Sequence, residues 1–308
     1  MKKLFLILFS LAFSLLLADY NWIEIKKDNV KFIGSRSDSV IIKQLSVKLQ
    51  KEINNFQMRI SQYPKHQVKI VVAPDKEFYQ KLIGKNRGII EFSEAFFSHG
   101  NKTIYIKNLD NVNFNSLNRI LLHEYIHLFV DYYFSDAPLW FHEGMAVYFS
   151  DPLDYGREIN FAFDHIVGNI PDLANMEKNY PENRAKWRSF YSLSALTLKY
   201  LYDEEKKSFY LLWDLAEKDY TFERAFRTSF FMSLPRFYKK MDNILQERLK
   251  VEILMSLSGF IWALLPIILI IGWIRKRIKL SLYRKQDEIN KLDSVSENIR
   301  DHDDHQES

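Results

Sequence analysis

Apolar positions change their spacing several times along this chain, and each change marks an element. Residues 1–18, MKKLFLILFSLAFSLLLA, set Lys2 and Lys3 before an apolar run too short for a comfortable membrane crossing and end on the small Ala18, the pattern of a secretory signal. Residues 253–274 form an uncharged stretch that would reach about 33 Å as a helix, which predicts a transmembrane helix. Arg275, Lys276, Arg277 and Lys279 follow at once. The positive-inside rule then predicts a single-pass protein of the cell membrane, with residues 19–250 extracytoplasmic and the charged tail, residues 275–308, cytoplasmic.

Between these runs the periods are those of a mixed domain. Residues 21–35 read as one short extended stretch. From Asp38 or Ser39 to about residue 61, Ile41, Leu45, Leu49, Ile53 and Phe56 recur at helical spacing. Residues 67–73, QVKIVVA, are β-branched and alternating, so they predict a strand, and residues 75–83 predict a helix. Residues 88–99 and 102–107 predict a hairpin turned at Gly100 and Asn101. Its exposed strand either receives an extended peptide by β-addition or is an ordinary covered sheet edge; the sequence leaves both open.

A helix capped by Asn113, Asn115 or Ser116 comes next, then a break at Asp136, Ala137 and Pro138, and a second helix over residues 139–149. Residues 151–187 are broken by Pro152, Gly156, Gly168, Pro171 and Pro181, the texture of loops that line a cleft. Residues 190–202, 209–218, 221–229 and 234–250 predict a helical lobe. The fold class expected is therefore α+β, with a small N-terminal mixed sheet, a helical C-terminal lobe and one membrane helix.

Composition narrows the chemistry. A chain of 308 residues that is 47 % hydrophobic is long enough for one large core. The net charge is only +4, and much of the positive excess follows residue 274, which argues against a nucleic-acid partner. There is no cysteine, so a metal site here must be built from His, Asp and Glu.

Such a set is present in LLHEYIHLF, residues 121–129. His123 and His127 are four apart, which on a helix stacks both imidazoles on one face within reach of one ion, and Glu124 can lean over the same ion as general base. A catalytic zinc keeps three protein ligands and one water, so a third must come from elsewhere. Glu143, in the next helix, is one candidate; His142 beside it is the rival, because adjacent helix positions diverge by about 100° and only one of them faces the metal. Two imidazoles with a carboxylate suit Zn2+. Asp131, four beyond His127, either holds a ligand histidine by its other nitrogen or is a surface acid at the helix end. His302 and His305 lie in a tail that reads as solvated.

These motifs resemble the gluzincin zinc metallopeptidases, thermolysin-like in their core, and most closely the bacterial peptidase-MA-like domains. His123, Glu124 and His127 match the HExxH helix; Trp140, Glu143, Gly144, Ala146 and Tyr148 match a W-x-x-E-G-x-A-x-Y helix; residues 221–245 are similar to the closing helices. The likeness covers about residues 67–247. It implies zinc held by His123, His127 and Glu143, hydrolysis of a peptide or protein substrate with Glu124 as base, and an oxyanion-stabilising role for Tyr191, which stands at a tyrosine of the pattern. Phe231 departs from it, standing where a glycine is usual. The Gly-x-Met-Glu-Asn run of the aminopeptidase branch is absent, and Val130 and Tyr133 stand where a metzincin has its glycine and third histidine. The expectation is a membrane-anchored zinc endopeptidase; the alternatives are a metal-bearing, non-proteolytic binding or assembly module at the membrane, and a tethered chaperone without metal.

Overall fold

A computed structural model describes residues 21–83, 94–110, 113–150 and 172–303. The signal-like segment, the start of the hairpin at 88–93 and the cleft-like stretch 151–171 lie outside the described residues. The chain divides into two compact units, residues 1–245 and 246–308.

The first unit begins with five strands: β1 (Trp22–Lys27), β2 (Val30–Ser35), β3 (Val68–Val72), β4 (Ala95–Ser98) and β5 (Thr103–Ile106). They form one mixed sheet in the order β1-β2-β3-β5-β4, parallel across β2, β3 and β5 and antiparallel at both ends. Residues 21–35 are thus two strands instead of one stretch. The chain reverses at Asp28, whose φ of 49° is left-handed, a conformation that aspartate tolerates and that carries no glycine to signal it. β4 and β5 make the expected hairpin, with Lys102 left-handed at its turn.

Helix α1 (Ser39–Ile60) packs against β1 and β2 and ends on a left-handed Ser61. It buries Ile42, Leu45, Leu49, Ile53 and Phe56, whereas Ile41, expected inside, is 40 % exposed; one residue of offset turns a side chain through about 100°. After α2 (Lys76–Ile83) and the hairpin, α3 (Phe114–Tyr133) starts where the side chain of Asn113 accepts the backbone N–H groups of Asn115 and Ser116. That bond fills donors a helix start leaves orphaned.

Helix α4 (Leu139–Ser150) is buried over nearly its whole length. It lies on α5 (Trp187–Asp203), and Gly144 is what allows the approach: a Cβ there would stand 2.5 Å from the backbone oxygen of Ser194. α6 (Lys206–Ala216) and α7 (Phe222–Phe230) complete the lobe. The carboxylate of Asp136 accepts the N–H of Phe222 at 3.0 Å, and Thr221 caps the same helix through the N–H of Arg224. Phe231, 87 % exposed, closes α7 in a left-handed conformation (φ 53°), the position at which helices most often place glycine.

The last helix, α8 (Leu234–Asp303), has Pro266 inside it and takes in the charged stretch 275–303. The expected membrane span is not borne out. Among the described residues no helix is long and apolar enough to cross a membrane.

Candidate metal centre

Helix α3 carries His123 and His127 one turn apart, and α4 brings Glu143 to them. The three can hold a metal ion: their ligand atoms all lie within 4.8 Å of one another. His123 Nε2 and His127 Nε2 are 3.1 Å apart, and Glu143 Oε2 stands 3.6 Å and 3.7 Å from them. Tetrahedral ligands about 2.0–2.2 Å from a zinc ion are separated by roughly 3.4 Å, so the triangle has the right size.

Charge gives an independent test of the fit. Burial drives His127 down to about 3, and therefore leaves its imidazole neutral with a lone pair available. Burial alone would raise Glu143, but His127, His123 and the hydroxyl of Tyr180 outweigh it and hold the carboxyl below its ordinary value. An ionised carboxylate is thus buried beside a neutral imidazole. Among the described residues its Oε2 has no hydrogen-bond partner. A buried, unbalanced anion is costly, and a cation at the triangle would satisfy it.

Glu124 sits one position along α3 and turns toward the sheet. Its Oε2 accepts the backbone N–H of Phe97 in β4 at 2.7 Å. The register explains that contact. Lys107 N–H donates to Glu94 O, and the pairs run Phe96–Tyr105 and Ser98–Thr103, so alternation directs the N–H and C=O of Ala95 and Phe97 to the outer edge. Burial raises Glu124 to about 7, helped by Glu143 and opposed by His123 and the Phe97 bond.

The remaining expected residues divide. Between the two candidate third ligands, Glu143 joins the triangle. His142 turns to the other side, buried, its ring centroid 6.0 Å from those of both His127 and His99, and burial lowers it to about 4. Asp131 does not hold a ligand histidine. Its carboxylate faces the hairpin, 3.1 Å from His99 Nδ1 and 3.2 Å from Lys102 Nζ, contacts with residues whose position no helix periodicity reveals. Tyr191 is half-buried on α5, its ring centroid 6.5 Å from that of Tyr180; burial raises its phenol, and so do the charges of Glu143 and Glu124.

Two side chains here had no part in the sequence reading. Ser150 donates to Ala146 O at 2.6 Å and lies 3.5 Å from His123 Nδ1, an oxygen in place for the nitrogen that a metal would leave free. It follows Glu143 by seven residues, two helical turns, a spacing that could have suggested it. Tyr180 donates its hydroxyl to Glu143 Oε1, and burial and that carboxylate raise its phenol, which stays protonated. It comes from a loop and had no signal among 17 tyrosines. No family model matches the chain, and no curated protein is significantly similar to it.

Proposed function

We propose that the domain is a zinc-dependent endopeptidase of gluzincin type, with His123, His127 and Glu143 as ligands and Glu124 as general base. The observation that carries this reading is the pairing of a metal-sized, charge-unbalanced triangle with a carboxyl poised near neutrality at its rim. Neutral imidazoles and one carboxylate favour zinc among the common divalent ions. A zinc ion bound there supplies Lewis acidity, which makes water a nucleophile near neutral pH and polarises a carbonyl.

The chain's own residues do the rest. Glu124 takes a proton from the attacking water and returns it to the leaving amine, work suited to a group that titrates near the operating pH. Its tether to Phe97 keeps that carboxyl at the rim of the sheet. The motif resemblance carried by His123, Glu124, His127 and Glu143 is what favours a peptide bond as the substrate. Tyr191 offers its protonated hydroxyl to the oxyanion that develops on the carbonyl.

The test combines composition with activity. The purified 308-residue chain is expected to hold one zinc per molecule and to cleave unfolded protein substrates. Glu124→Gln is expected to keep the zinc and lose about 10^2–10^4-fold in kcat. A chain with no stoichiometric zinc, or a Glu124→Gln variant of undiminished activity, overturns the proposal.

A further inference from the structure

Tyr180 has no role in the site as proposed so far, yet its hydroxyl is bonded to the carboxylate that completes the triangle. The two oxygens of Glu143 are used differently. Oε2 faces both imidazoles, at 3.6 Å and 3.7 Å, while Oε1 is turned away and accepts from Tyr180.

The loop that delivers Tyr180 is pinned on both sides. Before it, Glu177 accepts the N–H of Leu139 on its backbone oxygen at 2.8 Å, and its side chain accepts the hydroxyl of Tyr238 at 2.9 Å. After it, the indole of Trp187 donates to Pro181 O at 2.8 Å. The ring itself is wedged against Trp187 and Phe190, with centroids 5.9 Å and 5.3 Å away. A hydroxyl placed by so many fixed points is aimed, and what it is aimed at is one oxygen of a metal ligand.

We infer that Tyr180 is a positioning residue that confines Glu143 to metal binding through Oε2 alone, and so keeps a coordination position open for water. The inference rests on the metal-site reading above. A carboxylate binds zinc through one oxygen or through both, and a second oxygen would occupy the place that a catalytic zinc keeps for water and substrate. With Oε1 engaged by a phenol O–H, that second mode requires breaking a hydrogen bond to a buried, ionised acceptor, which is the strong kind. Outer partners of this sort fix the orientation of ligands and tune the metal.

Tyr180→Phe isolates the hydroxyl, because it keeps the ring and its packing. The 308-residue protein and the variant would be loaded with Co2+ as a spectroscopic probe of coordination number, with metal affinity measured by competition against a chromophoric chelator. The wild type is expected to show the intense visible bands of four-coordinate cobalt. The variant is expected to bind one cobalt with markedly weaker bands, the mark of an added oxygen, and to change metal affinity by about 10–100-fold. Identical spectra and affinities for the two proteins would overturn the role of Tyr180 while leaving the metal site intact. A wild type that binds no stoichiometric metal overturns the site itself, and this inference with it. X-ray absorption on the zinc-loaded wild type serves as a check that does not depend on the variant's folding: a single short Glu oxygen supports the inference, and two comparable ones refute it.

Discussion

Helix α3 has two faces that bury their side chains by opposite means. On one, Phe129 meets the ring of Phe56 at 4.8 Å and that of Trp213 at 5.2 Å, and Tyr125 accepts the amide of Gln57 at 2.7 Å. Apolar surface meets apolar surface there and the phenol of Tyr125 is bonded, while the buried indole N–H of Trp213 has no hydrogen-bond partner among the described residues. On the other, His123, Glu124, His127 and Asp131 run along the helix one turn apart or adjacent, and their charges are balanced only in part. The dry face contributes stability through burial alone. The polar face borrows that stability to hold a carboxylate and imidazoles where water would otherwise solvate them, and a bound cation relieves the cost.

If that division is right, damage to each face should have its own signature. The largest effect expected is on the dry face: Phe129→Ala should lower unfolding free energy by about 3–5 kcal/mol in urea titrations, through lost burial and a residual cavity. Next comes the polar face. Zinc at about a thousandfold above its Kd should add about 4 kcal/mol to stability, read as a rise in melting temperature that a chelator reverses and that His127→Ala abolishes. A Phe129→Ala protein that still gains the full zinc increment would show that the two faces are separable.

Acidification of the metal-free protein should have a smaller effect. His127 and His142 are held at about 3 and about 4, below the 6.5 of an unfolded histidine, so the unfolded chain binds more protons across that window. Stability contributed by the two is present above pH 6.5 and lost as pH falls toward 4. Glu124, raised from 4.5 to about 7, acts in the opposite sense between those values and offsets part of it. Denaturant midpoints measured between pH 4 and 7 would reveal the net slope, which is expected to be positive, and a flat or falling profile would contradict neutral burial of the two histidines. The smallest effect belongs to neither face: Asn113→Ala removes the cap of α3 and should cost about 1 kcal/mol with metal binding unchanged.

The dry face was the easier of the two to read in the sequence. Leu45, Leu49, Ile53 and Phe56 repeat at the helical period, so α1 was visible, and QVKIVVA alternates as a strand must. On the polar face the parts carried by a single helix were also visible, since His123 and His127 owe their proximity to a spacing of four. Contacts that depend on how separate segments come to rest were not. Asp131 was read along its own helix, but its partners sit on the turn of a hairpin about thirty residues earlier. Tyr180 reaches Glu143 across 37 positions from a loop with no period at all. The left-handed Asp28 split one expected strand into two because aspartate marks such turns less plainly than glycine does. The expected membrane helix, inferred from 22 uncharged positions, is not matched by any described helix of sufficient length and apolarity.

Gly144 stands directly after Glu143, the candidate carboxylate ligand, where α4 touches the backbone of α5. A methyl group there would have to force the two helices apart by the better part of an ångström, and Glu143 would travel with its helix. The alignment of His123, His127 and Glu143 is therefore calibrated at a contact that has no reactive group of its own: a missing side chain works as a gauge, setting how far one wall of the site may stand from the other.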